Sequence, residues 1–432
     1  MRAFVAGFAA AVAVLAGPAA VASAVSGVAV PAPKLSSRTR VAERTLSRRL
    51  SAGLGNAGRS SGALVVDLTT GAKLYASAAG VGRLPASVEK IYTTSTALLE
   101  LGPGATLVTQ VLGRGTLGAG GVWTGMLYLR GGGDPTFGSA GFDQGAYGAG
   151  ATMQRLVSNL IRQTGITAVH GQVVGDESYF DSLRGTAATG FEPAADLEGV
   201  LSAAVFNRGL ADPAGTAFQD HPAVFTAAQL VFALRAAGVQ VPHGTPTAGG
   251  VTPTDATSLA SVNSPRLSTL IALINTPSDN FLAEMLLKGL GARFAGAGSS
   301  AAGAAVVRSE LATAFGVHPR LEDGSGLSRN DVTSPRQVVT VLGRMSGSAA
   351  FVHSLAIAGS TGTLASRMFG TIAAGRCRGK TGTLSDVSNL VGYCHARDGH
   401  TLVFAFLMNS VDPTAARGWQ DSMTTAVAGY NG

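Results

Sequence analysis

Pro85-Ala86-Ser87-Val88-Glu89-Lys90 opens a stretch that continues through Ile91-Tyr92-Thr93-Thr94-Ser95 to Leu101 and stops at Gly102-Pro103. A proline is tolerated at a helix start and a glycine-proline pair ends one, so Val88 to Leu101 is predicted helical. Ser87 and Lys90, three residues apart at its start, then share one face. A serine hydroxyl becomes a useful nucleophile when a neighbouring base takes its proton, and an amine with a depressed pKa can be that base. Burial and nearby cations supply the depression. The helix N-terminus adds N–H groups directed at the reaction centre.

Lysine is scarce here, which sharpens that reading. The 32 basic residues include only Lys34, Lys73, Lys90, Lys288 and Lys380. Arginine stays protonated in proteins, so a lysine kept in an arginine-rich chain points to chemistry that needs a neutral amine. Ser87 to Lys90 is the only Ser-x-x-Lys in the sequence. Far downstream, Lys380-Thr381-Gly382-Thr383 ends a predicted strand. The lysine offers a cation to a substrate carboxylate and the threonine a hydroxyl, while the glycine keeps a Cβ away from a substrate lying along the strand edge. A Ser-x-Asn between these elements would complete a polar cleft. Three exist, Ser261-Val262-Asn263, Ser278-Asp279-Asn280 and Ser328-Arg329-Asn330. The second follows Thr276-Pro277 and directly precedes a predicted helix, which fixes its side chains at a rigid helix entry. The other two read as turn residues.

Outward from these motifs the chain divides. At 432 residues it exceeds one ordinary core and predicts two or three domains. An arginine-rich helix from about Arg38 to Leu54 precedes a hairpin, Gly62 to Leu68 and Ala72 to Ala76. Residues 106–262 are glycine-rich, contain no lysine, and show short strand-like runs such as Met126 to Leu129 and Ala168 to Gly175. Helical patterns then cover Leu267 to Ile274, Phe281 to Leu290 and Val306 to Phe315, and strands Cys377 to Thr381, Val387 to His395 and Thr401 to Met408 close the chain. The expectation is one α/β (α+β) domain, 38–105 and 263–432, interrupted by a mainly β insert at 106–262. Every candidate catalytic residue lies outside the insert, which is expected to shape substrate access rather than take part in the chemistry.

The composition, 46% hydrophobic, 13% charged and 59 glycines, fits a β-rich and loop-rich fold rather than a bundle or a disordered chain. Met1-Arg2, an apolar run Ala3 to Leu15 and Ala22-Ser23-Ala24 read as a secretory signal, 1–24, followed by a linker, 25–37. Apolar residues continue to Val30, so an uncleaved anchor is the alternative. No later stretch is apolar and long enough to cross a bilayer. Cys377 and Cys394 are equidistant from a turn near Ser385-Asp386 and should face each other across antiparallel strands. A disulfide in an oxidising compartment and two buried thiols both fit. Arg40, Arg44 and Arg48 share a helix face, read as solvated, and the +7 charge lacks the aromatic interleaving of a nucleic-acid binder. No Cys/His cluster has metal spacing. Gly58 to Gly62 and Gly113 to Gly118 match a nucleophile elbow and a dinucleotide fingerprint, but neither is followed by the helix those motifs require.

Taken together, the motifs resemble the D-alanyl-D-alanine carboxypeptidase/endopeptidase family, the class C low-molecular-weight penicillin-binding proteins. The resemblance covers Pro85 to Lys90, Gly131 to Phe137, Gly175 to Asp181, Asn275 to Glu284, Asp323 to Arg329, Ala358 to Leu364 and Lys380 to Tyr393. It departs at Ser360-Thr361, where a Val/Asp pair is usual, and at Arg378-Gly379, where Ala is common before the strand lysine. It implies a β-lactamase/transpeptidase-like domain, an antiparallel sheet with helices on both faces, interrupted by one or two small domains. It implies exported, extracytoplasmic serine DD-peptidase action on peptidoglycan stem peptides, covalent inhibition by β-lactams, and no metal or organic cofactor. Ser87 would be the nucleophile, Lys90 its base, Ser278 a relay hydrogen-bonded to Lys90, and Asn280 a holder of the substrate amide. Lys380, Thr381, Gly382 and Thr383 would line the carboxylate site, with the N–H groups of Ser87 and Thr383 as oxyanion hole. A serine β-lactamase would share the motifs but hydrolyse its acyl-enzyme quickly, and a non-enzymatic wall scaffold would carry a broken site.

Overall fold

The computed structural model describes residues 36–212 and 214–432. The signal assigned to 1–24, and the linker up to residue 35, lie outside them. A helix at Ser37–Asn56, capped by the Ser36 hydroxyl, leads into the hairpin β1 (Ser61–Asp67) and β2 (Lys73–Ser77). The chain then builds a second sheet from β3 (Val108–Leu117), β4 (Val122–Arg130), β5 (Ala168–His170), β6 (Val173–Asp176), β7 (Thr247–Gly249) and β8 (Thr257–Asn263). It returns as β9 (Ala356–Ile357), β10 (Cys377–Leu384), β11 (Val387–His395) and β12 (Thr401–Asn409).

The first sheet is antiparallel throughout, in the order β2-β1-β12-β11-β10-β9, so the N-terminal hairpin pairs with the last strand of the chain. β12 is apolar at successive positions because both faces of the sheet are covered. Leu402, Phe404, Phe406 and Met408 pack with Leu46, Leu50 and Leu54 of the first helix and with Met423 and Val427 of the last, Pro413–Ala428. Val403, Ala405 and Leu407 point the other way, onto a core with the helices Lys90–Leu101, Leu267–Asn275 and Asn280–Ala295. Alternation of side chains along a strand makes one sequence serve two cores, and each large apolar side chain so buried contributes about 1.5–3 kcal/mol. Cys377 and Cys394 pair in register on β10 and β11 and form a disulfide.

The second sheet, ordered β7-β6-β4-β3-β8 with β5 on β4, mixes antiparallel and parallel pairs. The inserted region holds more helix than its glycine-rich sequence suggests. Helices at Met153–Thr164 and Pro222–Ala236 cover the sheet, burying Leu156, Leu160, Leu230 and Leu234 with Leu127 and Leu129 of β4. Short helical periods between glycine-rich flanks conceal this in the sequence. One part of the inserted region is not confined to that core. Leu197, Leu201, Ala203 and Val205 are buried among the helices packed on the first sheet, while Phe206 belongs to the core of the second sheet.

Candidate active site

Ser87 lies in a 3₁₀ turn, Ala86–Glu89, that runs directly into the Lys90–Leu101 helix. The turn is held against the sheet from both sides. The buried Asn389 side chain of β11 donates to the carbonyls of Leu84 (3.0 Å) and Pro85 (2.7 Å) and accepts from Met408 N–H. Gly382 of β10 faces the same turn, where a Cβ would stand 2.5 Å from the Pro85 carbonyl oxygen. Its missing side chain therefore lets the strand approach the nucleophile's turn, a contact the sequence reading had assigned to substrate. Ala86, just before Ser87, has φ +47°, a strained conformation for a residue with a Cβ.

Lys90 is fully buried, and its Nζ has three neighbours. They are Ser87 Oγ at 2.9 Å, Asn280 Oδ1 at 2.5 Å and the Ser325 carbonyl at 2.7 Å. A neutral amine has two hydrogens and one lone pair. The two carbonyl-type oxygens can only accept, so they take the hydrogens and leave the lone pair for the Ser87 hydroxyl proton. Burial lowers the Lys90 pKa to about 8, against an opposing pull from Asp323, Glu284, Asp279 and Glu198. The acids behind it are themselves buried. Desolvation, and then Asp323, push Glu284 up to about 8, and Glu89 is raised well above the usual range by burial and its neighbours. Glu284 accepts N–H bonds from Gly324 (2.9 Å) and Ser325 (2.7 Å), fixing the loop whose carbonyl meets Lys90.

The second lysine faces this group from β10. Lys380 Nζ donates to Ser278 Oγ at 2.7 Å and to the Thr381 carbonyl at 2.9 Å. It too is fully buried, and burial, followed by repulsion from Lys90, holds its pKa well below the ordinary value. Thr381 Oγ1 pairs with Thr363 Oγ1 at 2.9 Å, and Thr383 is exposed at the strand end. Ser278 has φ +75° and stands one residue before Asp279, whose carboxylate caps the Asn280–Ala295 helix by accepting from Leu282 N–H.

All of the expected residues thus converge, with one change of partner. Ser278 was expected on Lys90; its hydroxyl is instead on Lys380, and Asn280 is the residue of that tripeptide that meets Lys90. The helix entry turns successive polar side chains in different directions, so two residues of one motif serve two lysines. Of the tripeptides set aside, Ser261–Asn263 lies within β8 rather than in a turn, and Ser328 and Asn330 bond Glu322 in a loop. Sequence reasoning missed Asn389, Glu284 and the Ser325 carbonyl; only the surrounding Asn275–Glu284, Asp323–Arg329 and Lys380–Tyr393 blocks signalled them. It also missed the inserted region's reach into the site. Asn280 Nδ2 donates to the Asp196 carbonyl at 2.6 Å, and Arg208 pairs with Asp279. Among the described residues no cluster of three or more His, Cys, Asp or Glu could hold a metal ion.

A serine hydroxyl beside a buried amine, with a second buried lysine facing it, is an arrangement that can support acyl transfer to serine. The chain belongs to the D-Ala-D-Ala carboxypeptidase 3 (S13) family, whose model matches residues 45–205 and 201–430. It is 31% identical to a D-alanyl-D-alanine carboxypeptidase of Actinomadura sp. (strain R39), over 87% of this chain and 82% of that protein. Carboxypeptidase DacB of Mycolicibacterium smegmatis is 30% identical over 81% of this chain and 76% of that one. The crystal structure of penicillin-binding protein 4 from Haemophilus influenzae superposes with a TM-score of 0.71 at 21% identity, covering 87% of this chain and 97% of that one. The enzyme class follows from the family: a serine-type D-Ala-D-Ala carboxypeptidase.

Proposed function

We propose that Ser87 attacks the carbonyl between two D-alanines of a peptidoglycan stem peptide or cross-link. The single observation that carries this is the coordination of Lys90 Nζ: Asn280 Oδ1 at 2.5 Å and the Ser325 carbonyl at 2.7 Å can only accept, so once the amine is neutral its lone pair is left for Ser87 Oγ at 2.9 Å. Lys90 takes the hydroxyl proton as the Oγ–C bond forms, and the ammonium so made returns a proton to the leaving D-alanine nitrogen as the C–N bond breaks. Water then hydrolyses the ester. Lys380, with the hydroxyls of Ser278 and Thr381, receives the substrate's terminal carboxylate, and Asn280 holds the substrate amide. The N–H groups of Ser87 and Thr383 face the developing oxyanion, as the family resemblance implies. A β-lactam would enter the same site and acylate Ser87.

The protein acts outside the cytoplasm in this reading. The signal pattern of residues 1–24 and the Cys377–Cys394 disulfide support export, and no helix among the described residues is long and apolar enough to cross a membrane. Incubation with a pentapeptide stem and with a cross-linked muropeptide, followed by separation of products, tests the activity. Release of D-alanine from the first and cleavage of the second are expected. Intact substrates with a folded enzyme would overturn the reading, and a penicilloyl adduct that turns over in seconds would favour a β-lactamase.

A further inference from the structure

Asn280 is held by a segment that sequence assigns to the insert. Its side-chain oxygen meets Lys90, while its amide nitrogen donates to the Asp196 carbonyl at 2.6 Å. The preceding residue, Asp279, is gripped by Arg208, with Nη1 to Oδ2 at 2.6 Å and Nη2 to Oδ1 at 3.1 Å. The Arg208 Nε donates to the Glu198 carbonyl at 2.8 Å, and the guanidinium lies over the Phe281 ring, 4.9 Å from its centroid. Arg208 and Asp279 side chains are each only 12% exposed.

This contact is built rather than incidental. Glu198, Asn207 and Arg208 all have positive φ, at +65°, +51° and +59°, and Ser278 opposite them has +75°. Non-glycine residues keep such conformations only where the surroundings over-determine them. Gly199 seats the segment, since a Cβ there would stand 2.6 Å from the Phe281 ring and 2.8 Å from the Arg208 carbonyl.

We propose that the Asp196–Arg208 segment of the insert is a positioning element for acylation of Ser87, with Arg208 and the Asp196 carbonyl setting the place of Asn280 and, through it, of the Lys90 amine. The proposal rests on the acyl-enzyme reading above. Asn280 Oδ1 is one of two acceptors that orient the Lys90 lone pair, so a shift of Asn280 frees the amine to turn away from Ser87. Misplacement by about 1 Å can cost roughly 10²-fold in rate. The segment serves small and large substrates alike, because it acts on the base and not on the wall polymer.

The test uses the full chain, benzylpenicillin as acylating probe and intact mass as readout, with thermal melting alongside. Arg208→Met is expected to acylate roughly 10²-fold more slowly per folded molecule, with Arg208→Lys intermediate because a point charge cannot grip both oxygens. The pH midpoint supplies an independent readout. Lys90 is faced by Asp323, Glu284, Asp279 and Glu198, with Glu89 and Lys380 close by. Removing Arg208 leaves Asp279 and Glu198 uncompensated, which stabilises the Lys90 ammonium and moves the midpoint up. Glu198→Gln, at a half-exposed side chain that tolerates the change, moves it down. A purely structural role would lower the melting temperature and leave rate per folded molecule and both midpoints at wild-type values, which overturns the proposal. If Arg208→Met does not fold, a wild-type rate and midpoint in Glu198→Gln overturns it equally. Ser87→Ala runs in the same assay: label persisting there sinks the acyl-enzyme reading itself, whereas label lost there with normal Arg208→Met kinetics sinks only the positioning role.

Discussion

The two sides of the cleft each present a fully buried lysine, yet the surroundings of the two amines differ. Lys90, on the helix side, has Asp323, Glu284, Asp279 and Glu198 raising its pKa against burial. Lys380, on the strand side, has a hydroxyl, a carbonyl and the repulsion of Lys90, and among the described residues no carboxylate pairs with it. The first is poised to gain and lose a proton within a closed network. The second, in the proposed reading, would gain its charge partner from a substrate carboxylate. In the proposed mechanism one residue type is base on one wall and receptor on the other, and the neighbours decide which.

The largest effect tests what both lysines serve. Ser87→Ala is expected to abolish the single penicillin adduct on the Ser87 peptide, read by mass after proteolysis; an adduct that survives would place the nucleophile elsewhere. Next, Lys90→Arg is expected to cut acylation by roughly 10²–10⁴-fold, because guanidinium cannot accept the serine proton. In the proposed mechanism neutral Lys90 is the active form. Acylation should therefore rise with pH through about 8 and fall away below it. A flat profile between pH 6 and 9 would mean that another group takes the proton.

Lys380→Met should act mainly on binding. Losing a hydrogen bond to a charged group costs about 1.5–3 kcal/mol, so kcat/KM for a D-Ala-D-Ala peptide should fall roughly 10- to 100-fold, chiefly through KM. Lys380→Arg, which retains a cation, should lose less. The pH sense is opposite to that of Lys90. A bound carboxylate favours the Lys380 ammonium, so binding takes up a proton and weakens as pH rises above the resting pKa, which lies well below the ordinary lysine value. Equal losses at Lys90→Arg and Lys380→Arg would erase the distinction between the two walls.

How much of this was legible in the sequence varies by residue. Ser87, Lys90 and Lys380 stood out because lysine is scarce and spacing on one helix turn needs no tertiary knowledge. The closing strands Val387 to His395 and Thr401 to Met408 were legible from their own pattern, whereas the sheet covered on both faces came only with the family resemblance, and the register of β12 against the N-terminal hairpin was not legible. The partner of Ser278 was missed because a φ of +75° redirects the side chain, and no pattern in the sequence announces a left-handed serine. Arg208 was hidden for a different reason. It sits in a glycine-rich region that reads as separate, and its target lies 71 residues away in the chain. Long-range polar grips leave no periodic trace, whereas the apolar faces that bury a sheet do.

The smallest expected effect concerns how the strand wall is held. Cys377–Cys394 joins β10 to β11 with 17 residues of separation, three residues before Lys380. A cross-link of that span constrains the unfolded chain by about 3 kcal/mol on a loop-entropy argument. In the native sheet the same strands are already paired along their length, from Cys377–Cys394 to Leu384–Val387, and both cysteines are buried. The ladder and the two cores thus fix Lys380 without the covalent bond. The double variant Cys377→Ala, Cys394→Ala should melt at a lower temperature yet acylate Ser87 at a rate within about twofold of wild type, with KM for a carboxylate-bearing peptide also nearly unchanged. Thermal melting and acylation kinetics at 25 °C separate the two. A KM that rises as steeply as in Lys380→Met would show that the disulfide, and not the sheet, holds the receptor lysine in place.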